Sequence, residues 1–215
     1  METLTINTKR PAENVGRGLD REYADYLING FKQKFPKEKS VLFIAKETII
    51  KALEHLDDVS GIRFMYGYES VDNNGIRVLS RVLVLIPCNT TNLIPNSIIL
   101  PKGYITHNGT SVSFEKTKQI LYNHAVHFAR YFPDHDFNKV MRGAFMDINT
   151  LLSLLDIEDC TGINFNFGYD DSISDISLRN KPVFEAINFH GDSNQSFDFM
   201  PCPPWCDSTD IFNVG

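Results

Sequence analysis

The 215-residue sequence predicts an α+β protein made of two copies of a helix-helix-strand-strand unit. The expected arrangement is a pseudo-two-fold pair with antiparallel sheet covered by helices. Three observations predict it. Gly61-Ile62-Arg63-Phe64-Met65-Tyr66-Gly67-Tyr68-Glu69 returns 101 positions later as Gly162-Ile163-Asn164-Phe165-Asn166-Phe167-Gly168-Tyr169-Asp170. Three more blocks recur in the same order: Ile28–Pro36 with Ala125–Pro133, Phe43–Leu53 with Phe145–Leu155, and Val82–Ile86 with Val183–Ile187. Within each copy, helical spacing of apolar residues gives way to strict alternation. The first unit spans 1–105, including a linker from 87, and the second spans 106–215.

Each copy opens on an amphipathic helix. Tyr23, Tyr26, Leu27, Phe31 and Phe35 lie near i, i+3, i+4 spacing, so a helix is expected from about Leu19 to Phe35, stopped by Pro36. Its counterpart starts after Ser113, a suitable N-cap, and runs through Ile120, Leu121, Ala125 and Phe128 to Phe132 before Pro133. A shorter helix follows in each copy, Lys46–Leu56 and Asp147–Ile157.

Next come the strands. Ile62, Phe64 and Tyr66 alternate with Arg63, Met65 and Gly67, which predicts half-buried strands at Gly61–Tyr68 and Gly162–Tyr169. Asp72-Asn73-Asn74-Gly75 and Asp170-Asp171-Ser172 supply the turns. The return strands are Ile76–Ile86 and Pro182–Asn188. The unbroken apolar run Val82–Ile86 suggests a central strand covered on both faces. Ser97–Leu100 and Phe197–Met200, each followed by proline, would be edge strands.

Composition narrows the function classes. With 42% hydrophobic and 22% charged residues the chain is globular, and no run is long enough to span a bilayer. The N-terminus lacks the basic and apolar stretches of a signal peptide, which places the protein in the cytoplasm. Residues 1–132 hold 17 Lys+Arg against 13 Asp+Glu, whereas 133–215 hold 4 against 14. An acidic second half and the lack of a basic cluster argue against nucleic-acid binding.

Two constellations could carry chemistry. Cys202-Pro203-Pro204-Trp205-Cys206 has no cysteine counterpart in the first copy, and its spacing is not that of a thioredoxin or zinc-ribbon site. Extended backbone would hold the two Cα atoms roughly 12 Å apart, too far for a disulfide without a tight turn. The thiols fit a packed reduced tail, a redox pair, or a metal site helped by Cys160, His190 or another chain. His124 and His127, three apart on the long helix and followed by Asp134-His135-Asp136, could share a metal such as zinc, or be partly buried and hydrogen-bonded. The metal candidates are thus Cys202, Cys206, His124 and His127. Asp170, Asp171 and Asp175 read as a solvated hairpin, since the EF-hand spacing is missing. No phosphate-cradling loop, nucleophile elbow or HExxH helix is present.

The blocks Ser40–Glu47, Gly61–Tyr68 and Val82–Pro87, with the Cys202–Cys206 tail, resemble a group of uncharacterised bacterial proteins. In that group a GIR-aromatic-x-aromatic-G-Y strand precedes an apolar strand ending in proline, and Cys-Pro-Pro-x-Cys often lies near the C-terminus. The resemblance implies membership and supplies no catalytic residues. Taken together, the sequence favours a non-enzymatic module acting through a protein partner or self-association. The alternatives are a metal- or thiol-dependent protein, and a small-molecule sensor binding between the two units.

Overall fold

A computed structural model describes residues 18–89, 103–131, 142–175, 178–197 and 200–202. Strand β1 (Gly18–Leu19) leads into helix α1 (Arg21–Lys34), whose N-cap Asp20 accepts hydrogen bonds from the Glu22 and Tyr23 amides. Then come β2 (Val41–Ala45), α2 (Lys46–Leu53), β3 (Gly61–Asn73), β4 (Ile76–Cys88) and β5 (Tyr104–Thr106). The chain continues through β6 (Ser111–Val112), α3 (Phe114–Tyr131), β7 (Gly143–Asp147), α4 (Ile148–Leu155), β8 (Cys160–Asn166), β9 (Val183–Asn188) and β10 (Ser193–Phe197), and ends with β11 (Met200–Cys202). The fold class is mixed α+β with antiparallel sheets, as the periodicities predict. No described helix is long and apolar enough to cross a membrane.

β1, β2, β5, β6 and β7 lie outside the helix-helix-strand-strand expectation, and of these β2 and β7 each precede a short helix. In β2, Leu42 and Ile44 are buried while Val41 and Phe43 are exposed, so the alternation is present but only five residues long. The long hairpin β3–β4 outruns its expected ends, closing at Asn74-Gly75, both at positive φ. By contrast β8 stops at Asn166, and Tyr169 keeps only a bridge to Asn180. Ser97–Leu100 lies outside the described residues. In the other tail, β10 and β11 join different sheets.

The sheet order is β1-β10-β9-β8-β2 in one sheet and β11-β7-β3-β4-β5-β6 in the other. Each sheet therefore mixes strands from both sides of residue 105. β2 pairs with β8, and β7 pairs with β3. The sequence of element types from β1 to β5 recurs from β6 to β10, and exchanging the two series converts one sheet order into the other, β11 aside. Asp58 and Asp159, in the loops before β3 and β8, both adopt positive φ.

The sheets face one another across the main core. Phe64 of β3 lies 4.8 Å from Phe184 of β9 and 6.2 Å from Phe165 of β8, centroid to centroid. Leu42, Ile44, Ile62, Leu83, Leu85, Met146 and Ile163 fill the same layer, with α2 and α4 contributing Ile49, Leu53, Leu151 and Leu154. Full burial of each such side chain stabilises by about 1.5–3 kcal/mol before entropy is counted. On the outer faces, Ala24, Leu27 and Ile28 of α1 pack on Val183, and Ile120 and Leu121 of α3 pack on Met65, Val82, Val84 and Ile86. Close approach here requires glycine: a Cβ on Gly67 would sit 2.1 Å from Ile120 Cγ2, and one on Gly30 would sit 2.3 Å from the Tyr169 carbonyl oxygen.

Candidate functional site

The candidate site forms where α1, the hairpin β3–β4, α3 and the segment after β8 converge. Phe31 and Phe35 come from the last turn and C-cap of α1, and Tyr66, Tyr68 and Arg81 from the hairpin. His124, His127 and Tyr131 come from α3, and Phe167 and Asn180 follow β8. Five lining residues come from each half. They enclose a cavity of about 30 Å³, roughly two to three times the space one water requires.

At its edge lies Glu38, in the short link between α1 and β2, with a side chain only 9% exposed. Its Oε2 accepts from Tyr68 Oη at 2.7 Å and pairs with Arg81 Nη2 at 3.2 Å. Its Oε1 accepts from Tyr131 Oη at 2.9 Å and from His127 Nε2 at 2.8 Å. Burial alone would push the Glu38 carboxyl upward, but Arg81, Tyr68, His127 and Tyr131 outweigh it and hold it below the usual carboxylate range. An ionised carboxylate can only accept, so this contact requires a proton on His127 Nε2, whether the ring is neutral or charged. His127 Nδ1 is then buried with no hydrogen-bond partner among the described residues.

Arg81 is held as tightly as its counter-ion. Nε and Nη2 donate to Tyr68 Oη at 3.1 and 2.7 Å, and the guanidinium lies 4.3 Å from the Phe167 ring centroid and 5.1 Å from that of Phe31. Such stacking suits arginine, whose planar cation is weakly hydrated. Burial, foremost, and the bond to Glu38 raise the Tyr68 phenol far above its ordinary value, although Arg81 opposes them, so it stays protonated and donates.

The structure brings His124 and His127 to this same cavity, as their helical spacing requires. His124 is buried, edge-on to Tyr66 and stacked on Tyr68. Cys202 lies on β11, opposite Gly143 of β7, while Cys206 and Asp134-His135-Asp136 fall outside the described residues. Among the described residues no group of three His, Cys, Asp or Glu side chains could hold a metal ion, zinc included. The Cys160 thiol is buried and donates to the Gly162 carbonyl, whereas His190 is exposed. Asp170 is not a solvated turn residue: it is buried, accepting from Tyr23 Oη, Tyr26 Oη and both the amide and the hydroxyl of Ser172. That contact ties α1 to the loop after β8.

Sequence reasoning missed Glu38, Arg81, Tyr131 and Asn180. Glu38 sits between Lys37 and Lys39, a charge run that reads as solvated surface, and its partners lie 30 to 93 positions away. No family model matches the chain, and neither a curated protein nor a solved structure matches it.

Proposed function

We propose that this protein is a non-enzymatic binding module, descended from two fused copies of one unit, whose seam cavity takes a small uncharged molecule bearing a hydrogen-bond donor. The observation carrying this reading is the buried Nδ1 of His127, which has no partner among the described residues and accepts when the ring is neutral, on a cavity walled by aromatic faces from both halves. Leaving such an atom unsatisfied costs about 1–3 kcal/mol, which a donor from a bound molecule would recover. Glu38 and Arg81 already neutralise one another, so an ionic ligand would be desolvated without a counter-charge. The faces of Phe31, Tyr66 and Phe167 favour a planar, apolar body. Tyr131, 43% exposed on the last turn of α3, is the wall that yields to a larger ligand.

The test is nitrogen-15 NMR of the histidine rings during titration with pyrazole, phenol and, as a probe without a donor, benzene. Pyrazole and phenol should shift the His127 Nδ1 resonance, and benzene should leave it in place. A Nδ1 signal unmoved by any probe at millimolar concentration overturns the reading, as does one already hydrogen-bonded to water.

A further inference from the structure

We propose that the open edge of β2 pairs with β2 of a second copy, joining two five-stranded sheets into one continuous sheet across a two-fold axis. The argument starts from which backbone groups face outward. The Phe167 amide donates to the Ser40 carbonyl, so in the antiparallel ladder the even-numbered residues of β2 direct N–H and C=O toward β8. Val41 and Phe43 therefore direct both groups away from it, and Ala45 directs its N–H, its carbonyl being engaged as the N-cap of α2. Among the described residues β2 has a strand neighbour on one side only.

The matching edge in the other sheet is occupied. On β7, Tyr66 bonding to Arg142 and Ile148 to Ser60 set the same alternation, so Gly143 and Phe145 direct their backbone groups outward, where they meet Cys202 and Met200 of β11. Pro201 falls opposite Ala144, the position where a missing N–H costs nothing. β11 follows β10 in the chain. In the first half β5 leads directly through a turn into β6, so no equivalent strand follows it.

The sequence of β2 fits its own image. An antiparallel register centred on Phe43 sets Val41 opposite Ala45 of the second copy, and Phe43 opposite Phe43. Phe43 then forms a hydrogen-bonded pair with its image, and on each side of the axis the Ala45 N–H faces the Val41 carbonyl of the other copy. The same register brings exposed Lys39 toward exposed Glu47 of the other copy, a charge match on both sides of the axis. Val41 is 37% and Phe43 46% exposed, and Val41–Ala45 holds no lysine, proline or bulge of the kind that normally blunts a sheet edge.

Light scattering across a concentration series should give a mass approaching twice the chain mass of 24.5 kDa, with V41K/F43K remaining at the chain mass and keeping the wild-type circular dichroism spectrum. The register is tested by cysteine pairing. F43C should form an intermolecular disulfide on mild oxidation, because Cα atoms in a hydrogen-bonded pair lie about 5.5 Å apart. V41C should not, being displaced from its own image by roughly 13 Å. Amide exchange at Phe43 and Ala45 should slow as concentration rises. A wild-type protein monomeric throughout, equal cross-linking of V41C and F43C, or protection of these amides independent of concentration would each overturn the proposal, the last because the chain would be covering its own edge.

Discussion

Replacing Glu38 with alanine removes the acceptor that joins four side chains from three separate elements. Arg81, with a side chain 11% exposed, is left as a buried cation without its counter-ion, and Tyr68, Tyr131 and His127 each lose an acceptor. Breaking a buried ion pair from one side costs about 3–5 kcal/mol, and both partners here are close to fully buried, so the upper half of that range is expected. For a chain of this length, each kcal/mol lowers the melting temperature by roughly 2–4 °C. E38A should therefore melt on the order of 10 °C or more below wild type. The informative comparison is E38A/R81M, which removes both charges and keeps an apolar stem over the Phe167 ring. It should recover at least about 1 kcal/mol of what E38A alone loses, since the orphaned cation is the costly species. Urea unfolding followed by circular dichroism measures both variants. A loss below about 1 kcal/mol for E38A, or a double mutant equal to the sum of the single ones, would refute the claim that the network is a closed charge-neutral unit.

Acid stability gives an independent reading of the same group. Because the folded Glu38 carboxyl is held below its unfolded value of about 4.5, its contribution is complete above that pH and fades as pH falls through the depressed folded value. E38Q should flatten that part of the stability curve, and an unchanged acid slope would contradict the assignment. His107 should titrate near 4 by proton NMR, because burial, aided by the Lys39 charge, lowers it to about 4. Its stabilising effect is complete above about 6.5 and lost as pH falls toward 4, and a titration near 6.5 would mean the ring is solvated. Gly30→Ala adds a better helix former worth about 1 kcal/mol in α1, yet its methyl would stand 2.3 Å from the Tyr169 carbonyl oxygen. Overpacking at about 1–3 kcal/mol should win, with Gly18→Ala, which meets nothing within 4 Å, changing stability by less than about 0.5 kcal/mol in the same urea assay.

What could be read in the sequence was whatever repeats locally. The long helices ended within about two residues of expectation because Pro36 and Ser113 punctuate them, and Val82–Ile86 is buried throughout, as its unbroken apolar run implied. β2 and β7 were not legible as strands, although their residues stood inside a recurring block. Five residues abutting a helix start carry too little alternation to be separated from it. That Ile44 would pair with Ile163 rather than with its own half is a long-range choice with no local signature. The candidate site was half visible. The spacing of His124 and His127 announced a shared face, but Glu38 acquires its meaning only when residues far along the chain close around it.

The crossing of strands between the two halves has a consequence for how the chain must mature. A nascent polypeptide that has emerged only as far as residue 105 holds β2 without β8, β3 without β7, and β1 without β10, whose Phe197 meets Gly18 across nearly the whole polymer. Closure thus waits on late synthesis, and loop entropy makes such distant pairings slow. Meanwhile the waiting apolar strands are a liability that a cell must shield. The same architecture makes the chain divisible in an unusual sense. Two polypeptides cut near residue 105 would each be incomplete alone, yet each would carry the strands the other lacks.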